Sequence, residues 1–415
     1  MKVFGIKSPT IALILCVGAL IIGHSVPFYF GKVLEASTKL GKGTLGCLGS
    51  AYTTIAVVLD NFKPAKTKKN VKPISDRPLS NHQILGSEAA SVFISGTDVF
   101  VAGFEYDTNE EMAATLWKNG VPSRLRGDNN YGGADSVFVV GKDVYAAGWE
   151  YDAKTIGVAT LWKNGKPQCL SNLPSIATAH SVFVSGGNVY VAGEERSLLQ
   201  TGKAAMLWIN SYPRHLGCEG GEATARSVYV WGSDVYVTGS RRDIHNRERA
   251  TVWKNGEPQS LGHIWYNSSA NSVFVLDGDV YVAGREGSLA IFWKNGVPQY
   301  LSEGRSDAYS IHVSGGDVYV AGYERNENGK DVATVWKNGV SQRLGNERNI
   351  SGANSVFVSD SDVYVVGFEW RENGNKDAML WKNGVPQRLS GENDVPGENT
   401  VLHWPTNQPG VGGRE

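Results

Sequence analysis

The sequence predicts an all-β fold built from repeated copies of one four-stranded unit, and three observations support that prediction. Fifty glycines, 12 tryptophans, 17 tyrosines and 13 phenylalanines in 415 residues indicate many tight turns and many bulky packing side chains. A short β-like motif beginning with serine recurs about every 45 residues, and a tryptophan follows it in each copy. Most of these tryptophans are followed by Asn-Gly, the strongest short hairpin signal. Repeats of this length are typical of β-propeller blades.

Seven copies of the unit follow one another along the chain. They start at Ser91, Ser136, Ser181, Ser227, Ser272, Ser310 and Ser355. Their tryptophans are Trp117, Trp162, Trp208, Trp253, Trp293, Trp336 and Trp381. The fifth copy is shorter than the others. Seven such units close comfortably into a ring, so the sequence predicts a seven-bladed β-propeller of four-stranded antiparallel blades.

Each unit divides into four predicted strands. Ser-Val-Phe-Val, Asp-Val-Tyr-Val-Ala-Gly and Ala-Thr-Val-Trp are the typical first three, all rich in β-branched and aromatic residues. The fourth strand, typically Val-Pro-Gln-Arg-Leu, carries proline in every copy except the sixth, which has Ser341. Proline cannot donate a ladder hydrogen bond, so this strand is predicted to be the outer edge of its blade.

Residues 1–30 are predicted to be a signal peptide or a membrane anchor. Lysines precede an apolar run from Thr10 to Ile22, and Gly23-His24-Ser25 offers small residues for cleavage after Ser25. The alternative extends the run through Phe30, which is long enough to span a bilayer. Either alternative predicts an exported protein that is periplasmic, extracellular or held in the membrane through residues 10–30.

The rest of the chain divides into three parts. Residues 31–79 are a predicted leader with a weak apolar segment at 44–59 and a lysine-rich stretch at 63–72. Residues 80–390 hold the propeller, and residues 391–415 are a predicted loose tail. Residues 81–86 resemble a fourth strand, and they either close the ring on the last blade, which we favour, or merely lead into the first blade.

Charge and motifs exclude several classes of function. Forty Lys and Arg against 41 Asp and Glu give no basic field, which argues against nucleic acid as a partner. A Gly-x-Gly-x-x-Gly pattern at residues 41–46 lacks the strand and helix of a dinucleotide site. No nucleophile elbow, zinc-binding helix or phosphate loop is present. The sequence therefore predicts no cofactor, no metal and no catalytic residue.

Residues that recur in every blade are expected to serve the fold. We interpret the tryptophans as core and the Asn-Gly pairs as turns. The aspartates that begin the second strands, such as Asp98, are expected to bond the backbone of the turn before them. A glutamate in Gly-x-Glu ends most second strands. We expect it to accept loop N–H groups or to pair with a cation of a neighbouring blade.

A ligand is expected on the face where loops vary in length. That face holds the loops between second and third strands and those between blades. The aromatic candidates there are Tyr106, Tyr131, Trp149, Trp265, Tyr266, Tyr309, Tyr323 and Trp370. The loops around blade five are the shortest, which predicts a notch. The predicted ligand-binding residues of this notch, for a sugar ring or a peptide, are Trp265, Tyr266, Arg285, Glu286 and Tyr309.

The repeats also carry a resemblance. Residues 91–389 resemble the seven-bladed β-propeller proteins, and most closely the bacterial exported repeat proteins whose units read V-Y-V-A-G…W-K-N-G, a group without an assigned activity. The resemblance implies the fold and export, not a function. The units lack the Gly-His…Trp-Asp pairing of WD40 blades and the diglycine of kelch blades, so the binding habits of those families do not transfer.

The function expected from these observations is binding. The protein is predicted to be an exported or membrane-tethered interaction module whose carbohydrate or protein ligand is held on the variable-loop face. A carbohydrate-active or other hydrolytic or lyase enzyme with acids on that face is the alternative. A structural cell-surface repeat protein is the third possibility.

Overall fold

A computed structural model describes residues 84–108, 111–125, 131–151, 157–171, 175–197, 202–217 and 222–389. The predicted signal or anchor, the leader and the C-terminal tail lie outside these residues. Within the described part of the chain, no helix has the length and apolar composition needed to cross a bilayer.

The described residues form 28 β-strands, which we number in chain order. The first strands of the blades are β1 (Ile84–Ser95), β5 (Gly132–Val140), β9 (Ser175–Ser185), β13 (Ala223–Trp231), β17 (Ser268–Leu276), β21 (Ser306–Ser314) and β25 (Ser351–Ser359). The second strands are β2 (Asp98–Asp107), β6 (Asp143–Tyr151), β10 (Asn188–Ser197), β14 (Asp234–Arg242), β18 (Asp279–Glu286), β22 (Asp317–Arg325) and β26 (Asp362–Trp370).

The remaining strands complete the blades. The third strands are β3 (Met112–Lys118), β7 (Gly157–Lys163), β11 (Ala204–Ile209), β15 (Glu248–Lys254), β19 (Leu289–Lys294), β23 (Asp331–Lys337) and β27 (Lys376–Lys382). The fourth strands are β4 (Val121–Arg124), β8 (Lys166–Cys169), β12 (Tyr212–His215), β16 (Glu257–Ser260), β20 (Val297–Tyr300), β24 (Val340–Arg343) and β28 (Val385–Arg388). Each blade is one antiparallel sheet in chain order. The proline-bearing strand is its outer edge, as predicted, and the predicted all-β, seven-bladed fold is confirmed.

The first strands form the inner wall of the ring. Each contacts the first strand of the next blade, and β25 contacts β1 to close the cycle. One aromatic side chain from each inner strand joins a continuous collar around the axis, with ring centroids 4.7–5.1 Å apart. The collar consists of Phe93, Phe138, Phe183, Tyr229, Phe274, His312 and Phe357.

The serine that begins each repeat links neighbouring blades. Ser91 Oγ accepts a hydrogen bond from Val137 N–H at 3.3 Å, and the same bond recurs from blade to blade. Ser355 Oγ accepts one from Val92 N–H at 3.3 Å and so completes a girdle around the ring. The repeated serine therefore provides a hydrogen-bond acceptor for a backbone N–H group of the neighbouring blade.

The ring closes without exchanging a strand between its first and last blades. Ile84 and Gly86 pair with Asp107 and Tyr106 at the start of the inner strand of blade one. The last blade keeps its own outer strand, β28. The expectation that residues 81–86 close the ring as an outer strand is thus wrong for residues 84–86. Residues 84–86 share a residue pattern with the fourth strands, but in the structure they belong to β1 and pair with β2.

The seven repeated tryptophans are completely buried, which confirms them as core. Each belongs to an apolar cluster between two adjacent blades, so the core is divided into seven interfaces. The cluster of Trp117 joins blade one to Tyr364 and Leu380 of blade seven, and so closes the ring. Burial of these indoles is a main apolar contribution to the stability of the molecule.

The Asn-Gly turns adopt the predicted conformation. Asn338 has φ of 51° and Gly339 has φ of 83°, as a type I′ hairpin turn requires. The aspartate that begins the second strand serves this turn and not the one before it. Asp317 accepts Asn338 Nδ2 at 2.7 Å and pairs with Lys337 Nζ at 2.7 Å. The expected bond to the preceding turn is therefore replaced by a clamp across the two hairpins of one face.

Candidate functional site

Every inner strand contains a β-bulge immediately before its repeated serine. The ladder between first and second strands skips one residue at this point in all seven blades. The bulged residues are Ala90, Asp135, His180, Arg226, Asn271, Tyr309 and Asn354. Bulges re-aim a side chain and often occur beside binding sites. Here the bulged position holds six residue types in seven blades, while its two neighbours are alanine and serine in every blade.

A central cavity of about 370 Å³ lies at these bulges, on the side of the variable loops. Its wall holds the bulged residues of blades two to six and the neighbouring Glu248, Ser269, Arg285 and Asp307. This volume lies in the range of small-molecule sites. The aromatic collar lies further along the inner strands, two residues beyond the repeated serines.

Most charged groups of the cavity wall are paired with one another. His180 Nδ1 lies 3.1 Å from Asp135 Oδ2, and Arg285 Nε lies 3.3 Å from Asp307 Oδ2. Asn271 Nδ2 donates to Asp307 Oδ1 at 3.2 Å. Glu248 Oε1 accepts a bond at 2.7 Å from the Ser240 hydroxyl. These pairs fix the wall and leave atoms that can still bond a polar ligand.

Arg226 is the exception among the charged residues of the wall. Its side chain is exposed in the cavity, and no hydrogen bond or ion pair holds it within the described residues. It acts on Asp307 only through its charge, which lowers the pKa of that carboxyl. A guanidinium with its donors free is suited to bind a carboxylate.

Asp307 and Tyr309 are the most perturbed acids of the cavity. Burial raises the pKa of Asp307 from the ordinary 3.8 to about 6, and this effect outweighs the opposing charge of Arg285. Burial, with the charge of Asp307, also raises the pKa of the Tyr309 hydroxyl. Tyr309 therefore stays neutral, while Asp307 changes charge near the acidic end of the physiological range.

The middle residue of Gly-x-Glu divides the ring into two halves. It pairs across the ladder with an inner-strand residue on the loop side of the bulge. In blades six, seven, one and two it is aromatic: Tyr323, Phe368, Phe104 and Trp149. In blades three, four and five it is polar: Glu194, Ser240 and Arg285. Of these seven residues, Arg285 lines the cavity.

The predicted notch residues fall on two sides of strand β18. Arg285 and Tyr309 line the central cavity. Glu286, the next residue of the strand, points to the other side and is buried. Trp265 and Tyr266 are 65% and 57% exposed on the loop before blade five, where Trp265 packs against Arg247. The five residues therefore do not form a single notch, because neighbouring strand residues face opposite ways.

Two glutamates of Gly-x-Glu bond the loop that enters their blade, and a third bonds the buried tryptophan of its own blade. Glu286 accepts bonds from the His263 N–H and the Tyr300 hydroxyl. Glu369 accepts Asn349 Nδ2 at 2.8 Å, and Glu324 accepts the Trp336 indole N–H at 3.3 Å. Glu286 thus accepts a loop N–H as expected, but the loop is the one between blades four and five and not the one between the second and third strands. No described group of three His, Cys, Asp or Glu side chains is arranged to hold a metal ion.

Sequence reasoning missed seven of the nine cavity residues. Four of the seven, Asp135, His180, Arg226 and Asn271, occupy the bulged position of their inner strands. A signal for them was available. When the repeats are aligned on their serines, the column before the serine varies although both its neighbours are nearly constant. A variable position inside a constant strand indicates a site of selection other than the fold.

No family model matches the sequence, and no curated protein matches it. Among solved structures, the β-propeller domain of the Trilobed protease from Pyrococcus furiosus is similar at 12% identity and a TM-score of 0.46, covering 75% of this chain and 100% of that one. A Pyrococcus horikoshii acylaminoacyl peptidase matches at 11% identity and 0.48, covering 74% and 52%. A mutant Trypanosoma rangeli sialidase displaying trans-sialidase activity matches at 9% and 0.39, covering 74% and 54%.

This chain spans about half the length of the last two proteins, with 52% and 54% of them covered. At such identities the likeness concerns the fold alone. The resemblance to bacterial exported repeat proteins stays a prediction.

Proposed function

We propose that this protein is a binding module, exported or membrane-tethered, that holds a carboxylate-bearing carbohydrate in its central cavity. The observation that carries the proposal is Arg226, an exposed guanidinium without a partner in a cavity whose other charged groups have partners. A ligand carboxylate would supply the missing charge.

The remaining wall favours a sugar over a protein segment. Carboxylate, imidazole and amide groups of Asp135, His180 and Asn271 offer the mixture of donors and acceptors that ring hydroxyls need. Tyr309, with Tyr323 at 5.9 Å, provides an aromatic surface for the apolar face of a sugar. A cavity of about 370 Å³ accommodates one or two sugar units and no folded partner.

Titration of the full-length protein with galacturonic acid, and with galactose as the neutral comparison, tests the proposal. We expect the acidic sugar to bind and Arg226→Gln to weaken binding about 10- to 100-fold, as expected for loss of a charge-assisted pair. Arg226→Lys should recover part of the affinity. Tyr212→Ala is the matched control, because Tyr212 is 76% exposed on an outer strand away from the cavity. Equal binding by the parent and Arg226→Gln would reject the proposal.

An enzyme acting on the same ligand is the second candidate, and Asp307 is the observation that favours it. Its carboxyl has a pKa of about 6 and lies in a cavity with two further carboxylates, Asp135 and Glu248. Glycoside hydrolysis uses a pair of carboxyl groups, one of which has a raised pKa and acts as a general acid. Prolonged incubation with an acidic oligosaccharide distinguishes the two functions. Turnover that Asp307→Asn abolishes, with binding retained, would identify an enzyme.

Export is the second part of the proposal, and it rests on the apolar run in residues 10–30. The mature N-terminus of the protein recovered from cells tests it. A chain that starts at Val26 would be released, and one that keeps Met1 in the membrane fraction would be anchored. A full-length chain in the soluble cytoplasmic fraction would contradict export.

A further inference from the structure

Seven aromatic residues cover the loop face of blades seven, one and two, beside the cavity. We call them the aromatic platform. They are Phe104, Tyr106, Tyr131, Trp149, Tyr151, Phe368 and Trp370. Among them, Tyr106, Tyr131 and Trp370 are 36–39% exposed, which is high for large rings gathered in one region. The scaffold does not require the rings of Phe104, Trp149 and Phe368, because the same position holds Glu194, Ser240 and Arg285 in blades three to five.

The rings of the platform contact one another within blades one and two. Phe104 and Tyr106 lie 5.2 Å apart in blade one, and Tyr131 and Trp149 lie 5.9 Å apart in blade two. Burial raises the pKa of the Tyr106 hydroxyl, and an electrostatic interaction with Tyr131 of blade two adds to this effect.

An ion pair joins the rings of blade seven to those of blade one. Lys376 Nζ lies 4.4 Å from the centroid of Phe368 and 5.2 Å from that of Trp370. The same Nζ lies 2.8 Å from Glu88 Oε2, and Glu88 is the ladder partner of Phe104. The rings are therefore held at fixed positions by backbone pairing and by this cation.

Glycines in the inner strand make room for two of the rings. A Cβ added at Gly133 would lie 3.2 Å from Trp149 Nε1, and one at Gly352 would lie 2.8 Å from Phe368 Cε1. Both rings therefore rest on inner-strand backbone, where any larger residue would displace them. Gly133 and the cavity residue Asp135 belong to the same strand, β5, so the platform adjoins the cavity.

We propose that the ligand is an oligosaccharide and not a single sugar, an inference that rests on the proposed function. The carboxylate-bearing unit occupies the cavity at Arg226, and the following units stack on the aromatic platform. The C–H faces of pyranose rings are apolar and match exposed aromatic faces, while their hydroxyl rims stay in water. A row of fixed rings beside a polar cavity matches several linked sugar units.

A chain-length series tests the inference. The probes are oligogalacturonates from the monosaccharide to the hexasaccharide, and the measurement is the dissociation constant with the full-length protein. We expect each unit that reaches the platform to raise affinity several-fold, up to about tenfold, and the gain to stop when the platform is filled. Trp149→Ala should remove most of this gain and leave the affinity for the monosaccharide unchanged.

Two further variants protect the test from misfolding. Tyr106→Ala and Trp370→Ala truncate partly exposed rings, and each should reduce the gain without changing the fold. Trp149→Phe should restore part of it, and Tyr212→Ala should leave the whole series unchanged.

The outcomes separate this inference from the proposed function. Equal affinity for all lengths, still lost in Arg226→Gln, would overturn the platform and leave the function intact. Absence of binding at every length would overturn both. A peptide with acidic and aromatic residues that binds where the whole sugar series fails would likewise overturn both, and would assign the platform to a protein ligand.

Discussion

The serine of each inner strand and the residue before it have opposite roles. Ser136 accepts the Val182 N–H at 3.1 Å and so serves the ring, and its counterparts do the same in every blade. Asp135, one residue earlier, lies outside the ladder and lines the cavity. The backbone conformation of the bulge separates the two tasks. One residue can therefore change freely for ligand recognition while its neighbour stays constant for the fold.

The acidity of Asp307 makes both stability and binding depend on pH. Its folded pKa, about 6, exceeds the ordinary 3.8, so its neutral form is favoured in the folded state. The stability that the neutral Asp307 carboxyl adds to the folded state is fully present below the ordinary pKa of 3.8, and it is lost as pH rises through about 6. Relative to the parent, Asp307→Asn should therefore gain about 1–3 kcal/mol in free energy of unfolding between about pH 4 and pH 7.

Binding should follow the same titration. Ionised Asp307 reduces the positive potential at Arg226, so affinity for an anionic ligand should fall as pH rises through about 6. Urea unfolding and ligand titration across pH measure the two effects. His180 also faces the cavity, and the Asp307→Asn comparison separates its contribution. Parallel pH profiles for the parent and the variant would contradict the assignment.

The inner strand is the element that joins the blades and carries the ligand wall. In the girdle, the serine Oγ of one blade accepts a hydrogen bond from one backbone N–H group of the next blade. Ser136→Ala and Ser355→Ala should each lower the free energy of unfolding by about 1–2 kcal/mol, because a mostly buried N–H loses its acceptor.

Urea denaturation measures the effect of the girdle serines, with Ser359→Ala as the control. Ser359 lies at the last position of strand β25, next to the hairpin turn, and outside the girdle. Its substitution should change stability by less than about 0.5 kcal/mol. If Ser355→Ala matched this control while Ser136→Ala destabilised the protein, the contact between blades seven and one would be weaker than the other contacts.

Strand alternation explains what the sequence could and could not predict. The repeats specified blade number, strand order, turns and core, because these depend on local patterns such as Asn338-Gly339 and on the tryptophans. The predicted notch joined Arg285 to Glu286, adjacent in sequence but facing opposite sides of one strand. Arg226, Asp135 and His180 come together only because three different blades converge on one axis, and such convergence is not written in any single repeat.

At the scale of the whole molecule, the contacts between neighbouring blades are nearly the same around the ring, whereas the residues of the loop face differ from blade to blade. The girdle, the aromatic collar and the apolar clusters treat all seven blades nearly alike. The loop face has polar blades three to five and aromatic blades six, seven, one and two. A rigid ring with uniform joints holds these two halves side by side, which lets a single ligand meet charge at one end and aromatic rings along its length.

The two ends of the propeller already have the geometry of an inter-blade joint. Ala378 N–H donates to Ser87 Oγ at 2.8 Å, and Leu389 N–H donates to the Ala378 carbonyl at 3.0 Å. The same two bonds occur between blades four and five. Ala250 N–H donates to Ser268 Oγ at 3.0 Å, and Leu261 N–H donates to the Ala250 carbonyl at 2.7 Å. The residues that connect Leu261 to Ser268, 262–267, therefore show the linker length that would join Leu389 to Ser87.

A circular permutant tests whether closure depends on where the chain begins. The permuted chain runs from Gly304 to Leu389, through a Gly-Ser linker as long as residues 262–267, and on from Ser87 to Glu303. Glu303 and Gly304 are exposed between blades five and six, so new ends there cut no blade. Because the linker only replaces one short loop by another, unfolding free energy should stay within about 1 kcal/mol of that of unpermuted residues 87–389. Urea unfolding followed by tryptophan fluorescence measures this. A permuted chain that fails to fold, beside a folded unpermuted one, would show that the first and last blades meet by a different joint from the other six.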